Sequence, residues 1–142
     1  MITVRRATAD EVVDVRHRVL REGRPRETAV FAGDTEATTR HWVALDASGV
    51  VGVVSVVLAE MPELLDPRPR WQLRGMAVLP DLQGSGVGRA LLRAVHADVD
   101  EPLWCNARAN VVGFYTAAGW EPVGEVFPIA PIGPHQRMVR QA

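Results

Sequence analysis

The chain has 142 residues, 47% hydrophobic and 23% charged, which excludes a disordered chain and suits one domain with a sizeable core. Sixteen basic residues against seventeen acidic ones leave a net charge of -1, so no global field gathers nucleic acid or an anionic membrane, and any anion site must be local. All the basic residues are Arg, so no Lys is available as base, Schiff-base former or acetyl acceptor.

Met1 to Arg5 reads as a short strand, and Asp10 to Arg21 as a helix with Val12, Val15, Val19 and Leu20 along one side. Gly23 to Asp34 is an Arg-rich loop or broken helix. Thr39 to Leu45 and Val50 to Glu60 read as an antiparallel hairpin turning at Asp46 to Gly49. Its apolar run, Val50 to Ala59, falls far short of the roughly 20 residues that span a bilayer, so no membrane partner is expected.

Met61 to Arg70 carries three prolines and is a loop. Trp71 to Leu79 is the next strand, ended by Pro80, which offers no ladder donor. From Val87, the apolar residues Val87, Leu91, Ala94, Val95 and Val99 recur at helical spacing. Leu103 to Arg108 is a strand, Asn110 an N-cap for a helix over Val111 to Ala118, and Gly119 its stop. Trp120 to Phe127 and His135 to Arg140 close the chain as strands around a Pro-rich turn. A hairpin, then strand-helix-strand-helix, then strands favours a central mixed sheet with helices on it over a doubly wound sheet.

Neither repeats nor linkers divide the chain, so residues 1–142 are expected to form a single domain. The lone Cys105 forms no internal disulfide, and the N-terminus lacks a signal-like pattern; a cytoplasmic location is expected. The four histidines and one cysteine show no ligand spacing, so no metal is expected.

Asp81 to Leu92, "DLQGSGVGRALL", sets Gly84, Gly86 and Gly88 at the start of the second helix. A helix N-terminus offers unpaired N–H groups and partial positive charge, a setting for phosphate when side chains stay clear. A Walker loop needs a Lys that the chain lacks, and a dinucleotide fingerprint needs Gly where Arg89 or Leu91 stands. Gln83-Gly84-Ser85-Gly86-Val87-Gly88 satisfies a third pattern in full: Gln or Arg, two residues, Gly, one residue, Gly or Ala.

On these residues the sequence resembles the GNAT superfamily of N-acetyltransferases, in which this turn cradles the pyrophosphate of acetyl-coenzyme A. "LRGMAVLPDLQGSGVGRALL" looks like the family's central strand, turn and helix, and "NARANVVGFYTAAGWEPVGE" like its next strand end, helix and strand. With the opening "ITVRRATADEVVDVRHRVL", the resemblance covers nearly the whole chain. It implies an α/β (α+β) fold with a mixed, mostly antiparallel sheet flanked by helices. It also implies acetyl transfer from acetyl-coenzyme A to a primary amine in a direct ternary complex.

The resemblance assigns coenzyme contacts to Gln83, Gly84, Ser85, Gly86, Val87, Gly88 and Arg89, and to main-chain groups of Met76, Ala77 and Val78. Tyr115, the only tyrosine, matches a general acid for the departing thiolate, and its reference pKa of about 10 keeps the proton at neutral pH. Asn110 caps its helix, contacts the coenzyme arm, or does both. Many relatives carry a Glu base on the central strand, where "WQLRGMAV" offers Gln72 and Arg74. His135, in "IGPHQRM", is the first candidate base, ahead of His41.

Arg24 and Arg26, together with His41, fall where the family builds its acceptor pocket, and a guanidinium fork suits a carboxylate or phosphate. His17 and His96 read as solvated helix positions. Cys105 reads as a small buried hydrophobe. The acceptor, a small-molecule or peptide amine, is left open, and a homodimer is compatible with the sheet edge on analogy alone. An acyl-coenzyme A sensor with little turnover is the alternative.

Overall fold

The computed structural model describes residues 1–141. In chain order it contains β1 (Thr3–Ala7), α1 (Ala9–Leu20), β2 (Arg40–Asp46), β3 (Gly49–Leu58), β4 (Trp71–Val78), α2 (Val87–Asp98), β5 (Leu103–Arg108), α3 (Val112–Ala117), β6 (Glu121–Ile129) and β7 (Gly133–Arg140). Hydrogen bonds order the strands β1-β2-β3-β4-β5-β7-β6. β1 with β2, β2 with β3, β5 with β7 and β6 with β7 run antiparallel, and β4 with β5 parallel. This is the mixed, mostly antiparallel α/β (α+β) arrangement expected.

Two compact units make up the fold. The first spans Met1–Val57 and Leu73–Val99. Its helix α1 starts at Thr8, whose backbone N–H donates to the Glu11 carboxylate at 2.9 Å. Glu11 also accepts from Arg5 Nη2 at 2.7 Å, tying the helix start to β1. The bond from Arg5, helped by the one from Thr8, pulls the Glu11 carboxyl from its ordinary 4.5 down to about 2. What this pairing contributes to stability is present above the ordinary carboxylate range and lost as pH falls toward that lower value. An NMR titration of Glu11 is expected to show a midpoint near 2, and Arg5→Gln to move it back up.

Val12 and Val15 of α1 pack with Val43, Val53 and Ala77 from three strands, and burying each valine contributes about 1.5–3 kcal/mol. Helix α2 buries Val87, Leu91, Leu92 and Val95. It lies close to β3 because residue 52 is Gly: a Cβ there would stand 2.8 Å from Val87 Cγ1 and 3.0 Å from Leu91 Cδ1. The hairpin turn is closed by the Asp46 carboxylate, which accepts from the Ser48 N–H at 2.8 Å.

The second unit spans Leu58–Gln72 and residues 100–141. Trp71 and Gln72, the start of β4, pair in parallel with Leu103 and Trp104. Met61, Trp104 and Val139 form its buried cluster, and Trp104 Nε1 donates to Ala59 O at 2.6 Å. The proline-rich loop is pinned by Met61 N–H on Pro69 O (2.8 Å) and Arg68 Nε on Met61 O (2.7 Å).

Asn110 does not cap α3. It lies within a 3-10 turn over Ala109–Val111, Val111 holds the cap position of the helix, and no side chain closes it.

Candidate active site

Strand β4 leads through a 3-10 turn at Pro80–Leu82 into the glycines, and Gln83 Nε2 donates to Val78 O at 3.0 Å, tying the turn to the strand. The Ser85 hydroxyl and N–H both donate to Leu82 O, so the exposed loop is closed by its own backbone carbonyl. Gly86 precedes α2 in the left-handed region, φ 97°, where a side chain is strained. Cβ atoms built at Gly84 and Gly86 meet nothing within 4 Å. The helical ladder begins with Ala90 N–H on Gly86 O, which leaves the N–H groups of Val87, Gly88 and Arg89 ahead of it at the mouth. The arrangement fits a phosphate group approached by backbone alone. Arg89 is exposed on the first turn of α2, and on β4 Met76 and Val78 are half-buried and Ala77 buried.

A depression of about 200 Å³, lined in part by Arg18, Leu79 and Asp81, borders the loop but does not include Gly84 to Gly88.

The residues expected near an acceptor differ in how free they are. Arg26 is exposed and paired with Asp14 at 2.5 Å. Arg24 is half-buried, and its carbonyl accepts from His17 Nε2 at 2.7 Å, so His17 is tied to the loop and not simply solvated. His41 is 3% exposed with both ring nitrogens engaged. Its Nε2 faces Asp34 O at 2.8 Å, and that carbonyl only accepts, so Nε2 carries the proton and Nδ1 accepts from Ser55 O–H at 2.6 Å.

That histidine belongs to a buried network which the sequence reading missed. Arg16 is 0% exposed; Nη1 reaches Asp34 Oδ2 at 2.6 Å, Nη2 reaches Oδ1 at 3.0 Å, and Nη2 also donates to Ser55 Oγ at 2.8 Å. Burial works to raise the Asp34 carboxyl, but hydrogen bonds from Arg16 and the Phe31 N–H, with the Arg16 charge, outweigh it and hold it below its ordinary value. The network packs against β4: Gly75 has φ +66°, and a Cβ there would lie 2.8 Å from Arg16 Nε. One signal was present in the letters. Arg16 follows Val12 by four residues, which places an arginine inside the apolar stripe.

In the second unit, Tyr115 is 5% exposed, its ring 5.2 Å from Trp120 and 5.1 Å from Phe114. Burial, with the neighbouring Cys105, pushes its phenol well above the ordinary range, so it is protonated at neutral pH. Cys105 is buried and its thiol pushed up by desolvation, which disfavours a nucleophilic role. His135 is 6% exposed on β7, and its Nδ1 donates to Gly133 O at 2.8 Å. In the neutral ring that leaves the lone pair on Nε2. Asn110 is exposed on its turn. Arg137, beside His135, donates to the Glu63 carboxylate at 2.9 Å and to Asn106 Oδ1.

Among the described residues no three His, Cys, Asp or Glu gather as a metal site, and no helix is long and apolar enough to cross a membrane. Residues 37–122 match the family described as the acetyltransferase (GNAT) domain. The chain is 29% identical over 139 residues, 95% of its length and 93% of the other's, to the uncharacterized N-acetyltransferase YitI of Bacillus subtilis (strain 168). Its fold is similar to Escherichia coli ElaA, with a TM-score of 0.78, 20% identity and coverage of 99% of this chain and 100% of that one. It is similar as well to an aminoglycoside 6'-N-acetyltransferase complexed with coenzyme A, with a TM-score of 0.73, 15% identity and coverage of 98% and 96%. With the family match spanning more than half of the chain, the protein belongs to the GNAT acetyltransferases and is an acyltransferase of that kind.

Proposed function

We propose that residues 1–142 work as one N-acetyltransferase domain that moves an acetyl group from acetyl-coenzyme A to a primary amine by direct attack. The observation that carries this reading is the mouth of α2, where Gly84 and Gly86 leave open space in front of N–H groups not used by the helix. The solved relative complexed with coenzyme A supports the choice of ligand. The pyrophosphate occupies this turn, and main-chain groups of Met76, Ala77 and Val78 hold the arm and the thioester.

The amine lone pair attacks the thioester carbon, forming the C–N bond and placing negative charge on the carbonyl oxygen. Collapse of this tetrahedral species breaks the C–S bond and releases the thiolate. Tyr115 gives its phenolic proton to that sulfur, and the nitrogen loses its extra proton to His135 Nε2, left basic by the bond from Nδ1 to Gly133 O. Burial keeps the proton on Tyr115 until the thiolate is expelled.

Calorimetric titration with acetyl-coenzyme A, with NADH and ATP as controls, tests the donor, and an amine screen follows. Tyr115→Phe is expected to lower kcat by about 100-fold while changing the acetyl-coenzyme A Kd less than about 3-fold, since general acids contribute about 10²–10⁴. An unchanged kcat removes Tyr115 from the chemistry. Tight binding with no turnover of any amine points to the sensor instead.

A further inference from the structure

In the first unit, three arginines, Arg16, Arg21 and Arg74, approach the Phe31 ring, and the buried Arg16 and the half-buried Arg74 differ in what neutralises them. Arg16 stands 4.1 Å from the Phe31 centroid with its charge matched by Asp34. Arg74, on β4, stands 5.7 Å from that centroid. Its Nη2 donates to Ala32 O, its Nε is buried without a partner, as is that of Arg16, and among the described residues no carboxylate forms an ion pair with it. Asp34 is the carboxylate it feels, and Asp34 is held by Arg16. The cluster of Arg16, Asp34 and Arg74 therefore carries one positive charge in excess.

The backbone is shaped around these cations. A Cβ at Gly33 would come within 3.2 Å of Arg74 Nη2, and Gly75 gives way to Arg16 as described. A partly desolvated guanidinium with unused donors is costly unless an anion meets it. Arg74 also lies two residues before Met76, about 7 Å along the strand at 3.3 Å per residue.

We infer that Arg74 is the anion-binding element of the acceptor site, so that the amine acetylated carries a carboxylate or phosphoryl group. The inference rests on the acetyl-transfer reading above. A guanidinium edge donates paired hydrogen bonds to the oxygens of either group, whereas a polyamine meets like charge there. Burial, opposed by Asp34 and aided by Arg16, lowers the proton affinity of Arg74, as expected of a cation short of counter-charge.

The test compares kcat/KM for γ-aminobutyrate against butylamine, O-phosphoethanolamine against ethanolamine, and spermidine, in the wild-type protein, Arg74→Gln and Arg74→Lys. At least one anionic amine is expected to exceed its neutral partner by about 10-fold or more, in line with a charge-assisted pair. Which pair responds separates carboxylate from phosphate. Arg74→Gln is expected to bring that ratio near one, Arg74→Lys to keep part of it, and the acetyl-coenzyme A Kd to stay put. In parallel, propionate and inorganic phosphate at matched ionic strength are applied in thermal melts. One of them is expected to raise the wild-type midpoint and to lose that effect in Arg74→Gln. Spermidine as best acceptor, or an Arg74→Gln loss equal for all amines, overturns the inference. If acetyl-coenzyme A fails to bind, the acetyl-transfer reading falls, and the melts alone decide the anion subsite: no specific shift sinks it too.

Discussion

Gly86→Glu is expected to weaken acetyl-coenzyme A binding by at least about 100-fold, roughly 2.7 kcal/mol, with NADH and ATP remaining non-binders. Two effects combine at this residue. A non-glycine side chain at φ 97° is strained by about 1–2 kcal/mol. The larger effect is on the ligand: the new side chain enters the open space at the helix mouth and puts a carboxylate at the proposed pyrophosphate site. Gly86→Ala separates the two, because it carries the strain without charge or reach; it should melt lower yet bind measurably. Calorimetry on both variants reads the difference. Affinity of the Glu variant within about 3-fold of wild type, less than the 1.4 kcal/mol of one decade, would falsify the phosphate assignment to this turn.

Asp34→Ala is expected to destabilise the protein by about 3–5 kcal/mol, because it leaves the fully buried Arg16 without its counter-charge. At about 2–4 °C per kcal/mol, the midpoint falls by the order of 10 °C. Arg16→Met with Asp34→Leu should recover most of this loss, since a buried pair stabilises little relative to apolar residues of similar size. The pH dependence has a definite sign. The folded-state carboxyl of Asp34 lies below its ordinary 3.8, so its contribution is full above that value and lost as pH falls through the folded one. Denaturation of wild type and Asp34→Asn at neutral pH and again in acid should therefore show the gap narrowing in acid. A gap that stays constant would assign the stabilisation to packing and not to charge.

Most elements were legible because each carries its own local signal. Leu103–Arg108 is a strand with the bounds expected from its residues, and the glycine turn hands over to a helix at Val87. The helix after β5 was harder. Asn110 has a capping side chain but sits within a 3-10 turn, since the cap depends on backbone angles that composition does not specify. The polar network was harder still: Arg16, Asp34, His41 and Ser55 are spread over 39 residues of sequence and share no periodic pattern. His41 could be placed on a strand from its neighbours, yet nothing in them reveals that both its nitrogens are occupied.

By itself the sequence determined the family, the order of elements and the backbone turn at α2, because glycine spacing and apolar periodicity act over a few residues and read the same in any context. The tertiary structure alone decided which charges are cancelled and which remain. Arg16 and Arg74 are the same residue type, and both keep a buried Nε without a partner, but folding brings the Asp34 carboxylate into an ion pair with the first and not with the second. The reason is physical: desolvation and ion pairing depend on distances between residues far apart in the chain, and those exist only once the core has closed.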